Sequence, residues 1–208
     1  MELSFASLLE WTKLTVRNPR LASELVKDAR LPLEVSVLMI VLAGVVSGIS
    51  YGILIYAFDA MVAAIDTIDT TTLPSSQGPL LQGALSAVQG VIFAVALHRI
   101  GIAFGGRGNL VDLMGVTALV QVVSALLLLV VALTFAVFPV VGGLVALFTT
   151  VVFFRSLGHA VNVGHALEDM GKTVAVILLS FLAVIVVLSV LMTIMGIGGP
   201  DVASGDLL

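Results

Sequence analysis

The stretch with the most chemical promise is "GGRGNLVDLMG", residues 105 to 115. Glycines, an arginine, an asparagine and an aspartate interrupt a chain that is otherwise apolar. A phosphate-binding loop needs a strand, a Gly-x-x-x-x-Gly-Lys-Ser/Thr run and a helix. No strand, no lysine and no following hydroxyl residue is present here, so a phosphate cradle is not supported. A turn between two helices accounts for each residue. Gly105, Gly106 and Gly108 can take positive φ without a Cβ clash. Asn109 can cap the next helix, with Asp112 three residues on. Arg107 is then displayed, with Arg99 nearby in sequence, where either can hold a lipid phosphate or a partner's carboxylate.

The histidines are the other candidates. "GHAVNVGHALED" puts His165 and Glu168 at i and i+3, and two histidines with a carboxylate can bind a metal. His159 and His165 are six residues apart, about 240° around a helix, so they share no face. His98 can join them only through tertiary packing. Histidines that hydrogen-bond loops or respond to pH are the simpler expectation. No nucleophile and base are spaced for hydrolysis, and no cofactor is implied. The absence of cysteine excludes disulfides, thiol nucleophiles and Cys-based metal sites.

The elements that must position these residues follow from composition. Of 208 residues, 60% are hydrophobic and 11% charged. A soluble domain is about 45–50% apolar and about 25% charged, so lipid must be the solvent for most of this chain. The net charge of −4 gives no footprint for nucleic acid. The first 30 residues lack the h-region of a cleaved signal.

A membrane helix needs about 20 mostly apolar residues. Five such runs are expected: about Val35–Phe58, Leu80–Ile100, Leu113–Ala136, Val140–Phe154 and Thr173–Ile197. The third and fourth are parted near Phe138-Pro139, because proline breaks the helical ladder. Each must be helical, since lipid offers no partner to free backbone groups. The expected fold is therefore all-α, with residues 1–32 as an arm, 33–198 as the membrane domain and 199–208 as an external tail.

All nine lysines and arginines then fall on one side: Lys13, Arg17, Arg20, Lys27, Arg30, Arg99, Arg107, Arg155 and Lys172. The segment from Asp59 to Pro79 has three acids and no base. The positive-inside rule puts the cationic side and the amino terminus in the cytoplasm, and the carboxyl terminus outside.

The arm reads as two short amphipathic helices on the cytoplasmic face. Phe5, Leu8, Leu9 and Val16 recur at helical spacing, and Asn18-Pro19 divides the two. Trp11, Arg17, Arg20 and Arg155 are placed at headgroup level, as an anchor or as a docking arm for a partner.

No ionisable residue lies mid-span, which argues against a pump or voltage sensor. Mild polar residues do occur there, Gln89 and Gln121 among them, and they leave open a carrier or pore for uncharged or amphiphilic molecules. Gly44, Gly48 and Gly52 line one face of the first span, and Ser86, Gly90 and Ala94 one face of the second. Such faces let backbones approach, either inside the bundle or at a seam with another copy or a membrane partner.

The chain resembles the Yip family of Ypt/Rab-interacting membrane proteins, in its small bacterial form. The resemblance runs through "LLEWTKLTVRNPR" (8–20), "FGGRGNLVDLMG" (104–115) and "GHALEDMGKTVAVILLS" (164–180). It implies five spans, a cytoplasmic amino terminus and no known enzymatic activity; the short arm suggests a bacterial host and so an inner-membrane location. In eukaryotic members, Rab binding is associated with an Asp-Leu-Tyr-Gly-Pro motif ahead of the spans. Here "DLMG" at Asp112–Gly115 lies elsewhere and lacks the tyrosine and the proline, so Rab-type partners are not implied. The expected role is a non-enzymatic organiser of lipid or partner proteins, or an accessory subunit of a larger membrane complex, with no cofactor.

Overall fold

The computed structural model describes residues 5–63, 78–167 and 169–194. Seven helices follow in order: α1 Phe5–Arg17, α2 Pro19–Asp28, α3 Leu33–Ala63, α4 Pro79–Ala103, α5 Leu110–Val137, α6 Pro139–His165 and α7 Met170–Ile194. The last five are long and apolar enough to cross a membrane. Residues 64–77 of the acidic segment Asp59–Pro79, Glu168, the end of the fifth run and the tail lie outside the described residues.

The helix breaks have local causes. Asn18 ends α1 and caps α2, its side chain accepting from the Leu21 amide at 3.2 Å. Pro19 takes the first helical position. Pro139 does the same for α6, with Phe138 extended between α5 and α6. At two links the chain turns with left-handed residues that are not glycine, Arg30 (φ 46) and Ala166 (φ 52). After Ala166 the Leu167 amide donates back to the Asn162 carbonyl at 3.0 Å and closes α6.

Two helices outlast the apolar runs that announced them. Asp59 and Arg155 end those runs, yet α3 continues to Ala63 and α6 to His165. Charge marks where hydrocarbon ends, whereas a helix stops only where a breaker or a cap intervenes. The fourth helix is thus longer than the expected Val140–Phe154 span by its final turns.

Central α5 is the most enclosed element. An unbroken run from Leu113 to Val120 is buried, and α1, α2, α3, α4 and α6 pack around the helix. The main core joins Leu97 of α4, Leu113, Val116 and Val120 of α5, Leu157 and Val161 of α6, and Val176 and Val184 of α7. Ala22 and Val26 of α2 belong to the same core. The arm is therefore bound to the bundle through the apolar side of α2. Helix α1 does not lie flat on the end of the bundle. It runs along the flank, where Leu9 and Thr12 line an apolar groove with Leu42 and Val46 of α3 and Leu126 and Val130 of α5.

The glycine face of α3 meets α4 of the same chain. A Cβ at Gly44 would fall 2.7 Å from the Gly83 carbonyl oxygen, and one at Gly48 would fall 2.6 Å from the Pro79 carbonyl oxygen. Gly52 sits against the Pro79 ring. The partners on α4 are thus Pro79, Gly83 and Ala87, on the same side of the helix as Ser86, Gly90 and Ala94 and interleaved with them. Gly90 lies under Gln121 and Ile40, and Ala94 is buried with Ile40, Met114 and Ala118. Ser86 is half-buried and lines a cavity described below.

Candidate functional site

The loop 104–110 is joined to the end of α6 by backbone contacts. The Gly106 amide donates to the Gly101 carbonyl at 2.8 Å, and the Arg107 amide donates to the His165 carbonyl at 2.9 Å. That second bond satisfies one of the orphan carbonyls that any helix carries at its C-terminus. Asn109 caps α5 as expected, accepting from the Asp112 amide at 2.7 Å. Its side-chain amide donates to the Asp112 carboxylate at 2.9 Å, so the carboxylate orients the cap.

The glycines here have two different reasons. Only Gly105 has a positive φ, +87°. Gly106 and Gly108 do not, contrary to expectation. Space requires them: a Cβ at Gly106 would fall 2.7 Å from His165 Nδ1, and one at Gly108 would fall 3.0 Å from the His165 Cα. Gly101 also lies against the imidazole. The loop is a cradle after all, but for a histidine of its own chain.

His165 is fully buried. Its Nε2 lies 3.0 Å from the Leu97 carbonyl oxygen of α4. A carbonyl only accepts, so Nε2 carries the proton. The ring of His98 stands 6.1 Å from it, centroid to centroid, and nearly parallel at 12°. Stacked rings at that separation cannot aim two lone pairs at one ion whose ligand bonds are about 2 Å. His159 is half-buried elsewhere on α6. Among the described residues no three histidines and carboxylates converge.

Lysine and arginine side chains converge on this same end of the bundle. Lys27 Nζ donates to the Val163 carbonyl at 2.8 Å, where a cation also suits the negative end of α6. Arg155 Nη1 reaches the Val16 carbonyl at 3.3 Å and ties α6 to the last turn of α1. Arg20 Nε pairs with Glu24 at 2.8 Å on an exposed surface, where such a pair contributes little. Arg17, Arg99 and Arg107 are exposed and form no ion pair among the described residues. Trp11 is half-buried and packs against the main core, so its ring serves the bundle as well as any interface. Between α2 and α6 lies a polar groove lined by Arg20, Glu24, Lys27, Asp28 and Asn162.

Asn162 is a residue that sequence reasoning passed over. Its amide donates to the Leu167 carbonyl at 2.6 Å and to Thr173 Oγ1 at 3.2 Å, holding the α6–α7 link. No spacing rule singles out an asparagine near a helix end whose partners are tertiary.

A bundle of five apolar helices, with a helical arm whose α2 packs into the core and whose α1 runs along the flank, defines a polytopic α-helical membrane protein. The family model for the Yip1 domain matches residues 13–191, and the chain belongs to that family. A search of curated proteins and a search of solved structures each return no match.

Proposed function

We propose that this Yip-type protein is a non-catalytic organiser of lipid and partner proteins in a bacterial inner membrane, its cationic end facing the cytoplasm. The observation that carries this reading is the set of exposed guanidiniums of Arg17, Arg99 and Arg107, without an ion pair among the described residues, at the end whose backbone is held by Lys27, Arg155 and the His165 cradle. An arginine fork pairs two-pronged with phosphate or carboxylate, which suits both headgroups and acidic partner surfaces. Snorkelling lets Arg17 and Arg155 reach headgroups from the flank of the bundle. The positive-inside rule supports the orientation.

Purification from the native membrane in mild detergent should recover a stoichiometric partner or a homo-oligomer. Replacing Arg17, Arg99 and Arg107 by glutamate should reduce that recovery at least ~fivefold, about 1 kcal/mol, with unchanged thermal unfolding. A monomer with no co-purifying protein would overturn the reading.

One observation favours a second reading, a carrier for uncharged amphiphiles: Gln89 and Gln121 line a common cavity. Flux of a neutral amphiphile into protein-containing liposomes, above protein-free ones, is its measure.

A further inference from the structure

The cavity lies between α4, α5, α6 and α7 and has a volume of about 140 Å³. Ser86, Gln89 and Gly90 face it from α4, Thr117 and Gln121 from α5, and Phe153 and Phe181 from α6 and α7. Gln89 and Gln121 each sit about 15 Å along their helices from the starts at Pro79 and Leu110. The two helices run in opposite directions, so both amides fall near the middle of the bundle.

Polar groups at this depth need partners, because hydrocarbon supplies none. The chain provides few. Gln121 Nε2 donates one long bond, 3.3 Å, to the Gly90 carbonyl. Gly90 permits this approach, since a Cβ there would be 2.9 Å from the Gln121 amide carbon. Thr117 Oγ1 turns to its own helix, 2.6 Å from the Leu113 carbonyl. Gln89 is exposed at the rim, and no hydrogen bond joins it or Ser86 to another described side chain. Two carboxamides therefore offer spare N–H donors to a shared space.

The remaining wall is apolar, with Phe93, Phe153 and Phe181 beside Val120 and Leu157. Phe93 and Phe181 lie with ring centroids 4.7 Å apart, and Phe154 extends the cluster to 6.4 Å from Phe181. A cavity of about 150 Å³ takes one benzene-sized ring. No ionisable side chain lines the cavity, so a charged ligand would lack a counter-ion. The contents that match are a single uncharged ring bearing hydrogen-bond acceptors.

We propose that the cavity walled by Ser86, Gln89, Thr117, Gln121, Phe93 and Phe181 is a binding site for the ring head of a membrane-soluble, quinone-type lipid. The amides of Gln89 and Gln121 donate to its ring carbonyls, the paired rings of Phe93 and Phe181 pack against one side of it, and the apolar tail leaves into lipid past the exposed rim at Gln89. Binding here is independent of the organising role, and holds whether the molecule is stored or carried onward.

The test uses the full chain in phosphatidylcholine nanodiscs and a tritiated 1,4-benzoquinone carrying one isoprenoid unit. Saturable binding above partition into empty nanodiscs is expected. The same tail on a plain benzene ring should compete at least ~tenfold less well, the worth of about one lost hydrogen bond. The Q89L/Q121L double variant should bind at least ~tenfold more weakly while still showing a cooperative thermal transition, since leucine keeps the side-chain volume and only the bond from Gln121 to the Gly90 carbonyl is lost. S86F, which fills the ring space from the rim, should abolish binding and serves if the double variant does not fold. No saturable component, equal competition by the plain ring, or wild-type affinity in folded variants would overturn the proposal.

Discussion

Valine in place of Gly48 separates α3 from α4 and lowers the stability of the whole protein. A Cβ at this position would lie 2.6 Å from the Pro79 carbonyl oxygen and 3.0 Å from the Gly83 Cα. Both obstacles are backbone, so no flexible side chain can move aside. Gly83 in turn lies 3.0 Å from the Gly44 carbonyl by the same measure, which leaves the pair no room to slide. Overpacking costs about 1–3 kcal/mol where neighbours can adjust, and here the upper end or beyond is expected. Gly143→Ala is the control, because nothing lies within 4 Å of its Cβ position. Thermal unfolding in detergent measures both. The midpoint of Gly48→Val should fall well below that of Gly143→Ala, independently of protein concentration. A contact between copies would give the opposite pattern, a lost dimer with an unchanged monomer midpoint.

His165→Ala should be about as damaging. The ring is fully buried among Gly101, Gly106 and Leu97, and its removal leaves a cavity at the point where α4, the 104–110 loop and α6 meet. Large-to-small changes at such sites cost about 2–5 kcal/mol, and one hydrogen bond is lost besides. His165→Gln fills part of the space and can keep an amide N–H near the Leu97 carbonyl, so it should fall between alanine and wild type. The loop should report the change directly. Amide exchange at Gly106 and Arg107 should rise in His165→Ala, because their bonds to Gly101 and His165 close over that ring. Unchanged exchange and an unchanged midpoint would show that the cradle is not a structural joint.

Much of this architecture is legible in the residues themselves. Lipid forces backbone satisfaction, so apolar length alone announces the five membrane helices. Pro19, Pro139 and the Asn109 cap mark helix starts that the structure reproduces. Partner choice is less legible. Periodicity shows that Gly44, Gly48 and Gly52 share a face, yet it carries no information on what fills that face. The answer, Pro79 with Gly83 and Ala87, is set by the α3–α4 packing. Glycine has two physical uses, and sequence alone did not separate the positive φ of Gly105 from the close approach at Gly106 and Gly108. The left-handed turns at Arg30 and Ala166 carry no glycine to announce them. His98 and His165 lie far apart in sequence and stack only because α4 and α6 end side by side.

At the functional end, Arg99 and Arg107 were legible as exposed cations, while Lys27 and Arg155 proved to hold helix ends through carbonyls. A charge count cannot separate displayed cations from those anchored in the fold. The Gln89–Gln121 cavity was half visible, since mid-span amides stand out against their surroundings and the phenylalanines that complete it do not.

Cysteine labelling tests the central claim, that every lysine and arginine faces the cytoplasm. The chain has no cysteine of its own, so each introduced thiol reports alone. Val140 follows the helix start at the opposite end of the bundle and is exposed. A membrane-impermeant maleimide applied to intact cells should modify Val140→Cys at once, and modify Arg107→Cys and Lys172→Cys only after the membrane is opened. Labelling of Arg107→Cys and Lys172→Cys from outside, with Val140→Cys protected, would contradict the account.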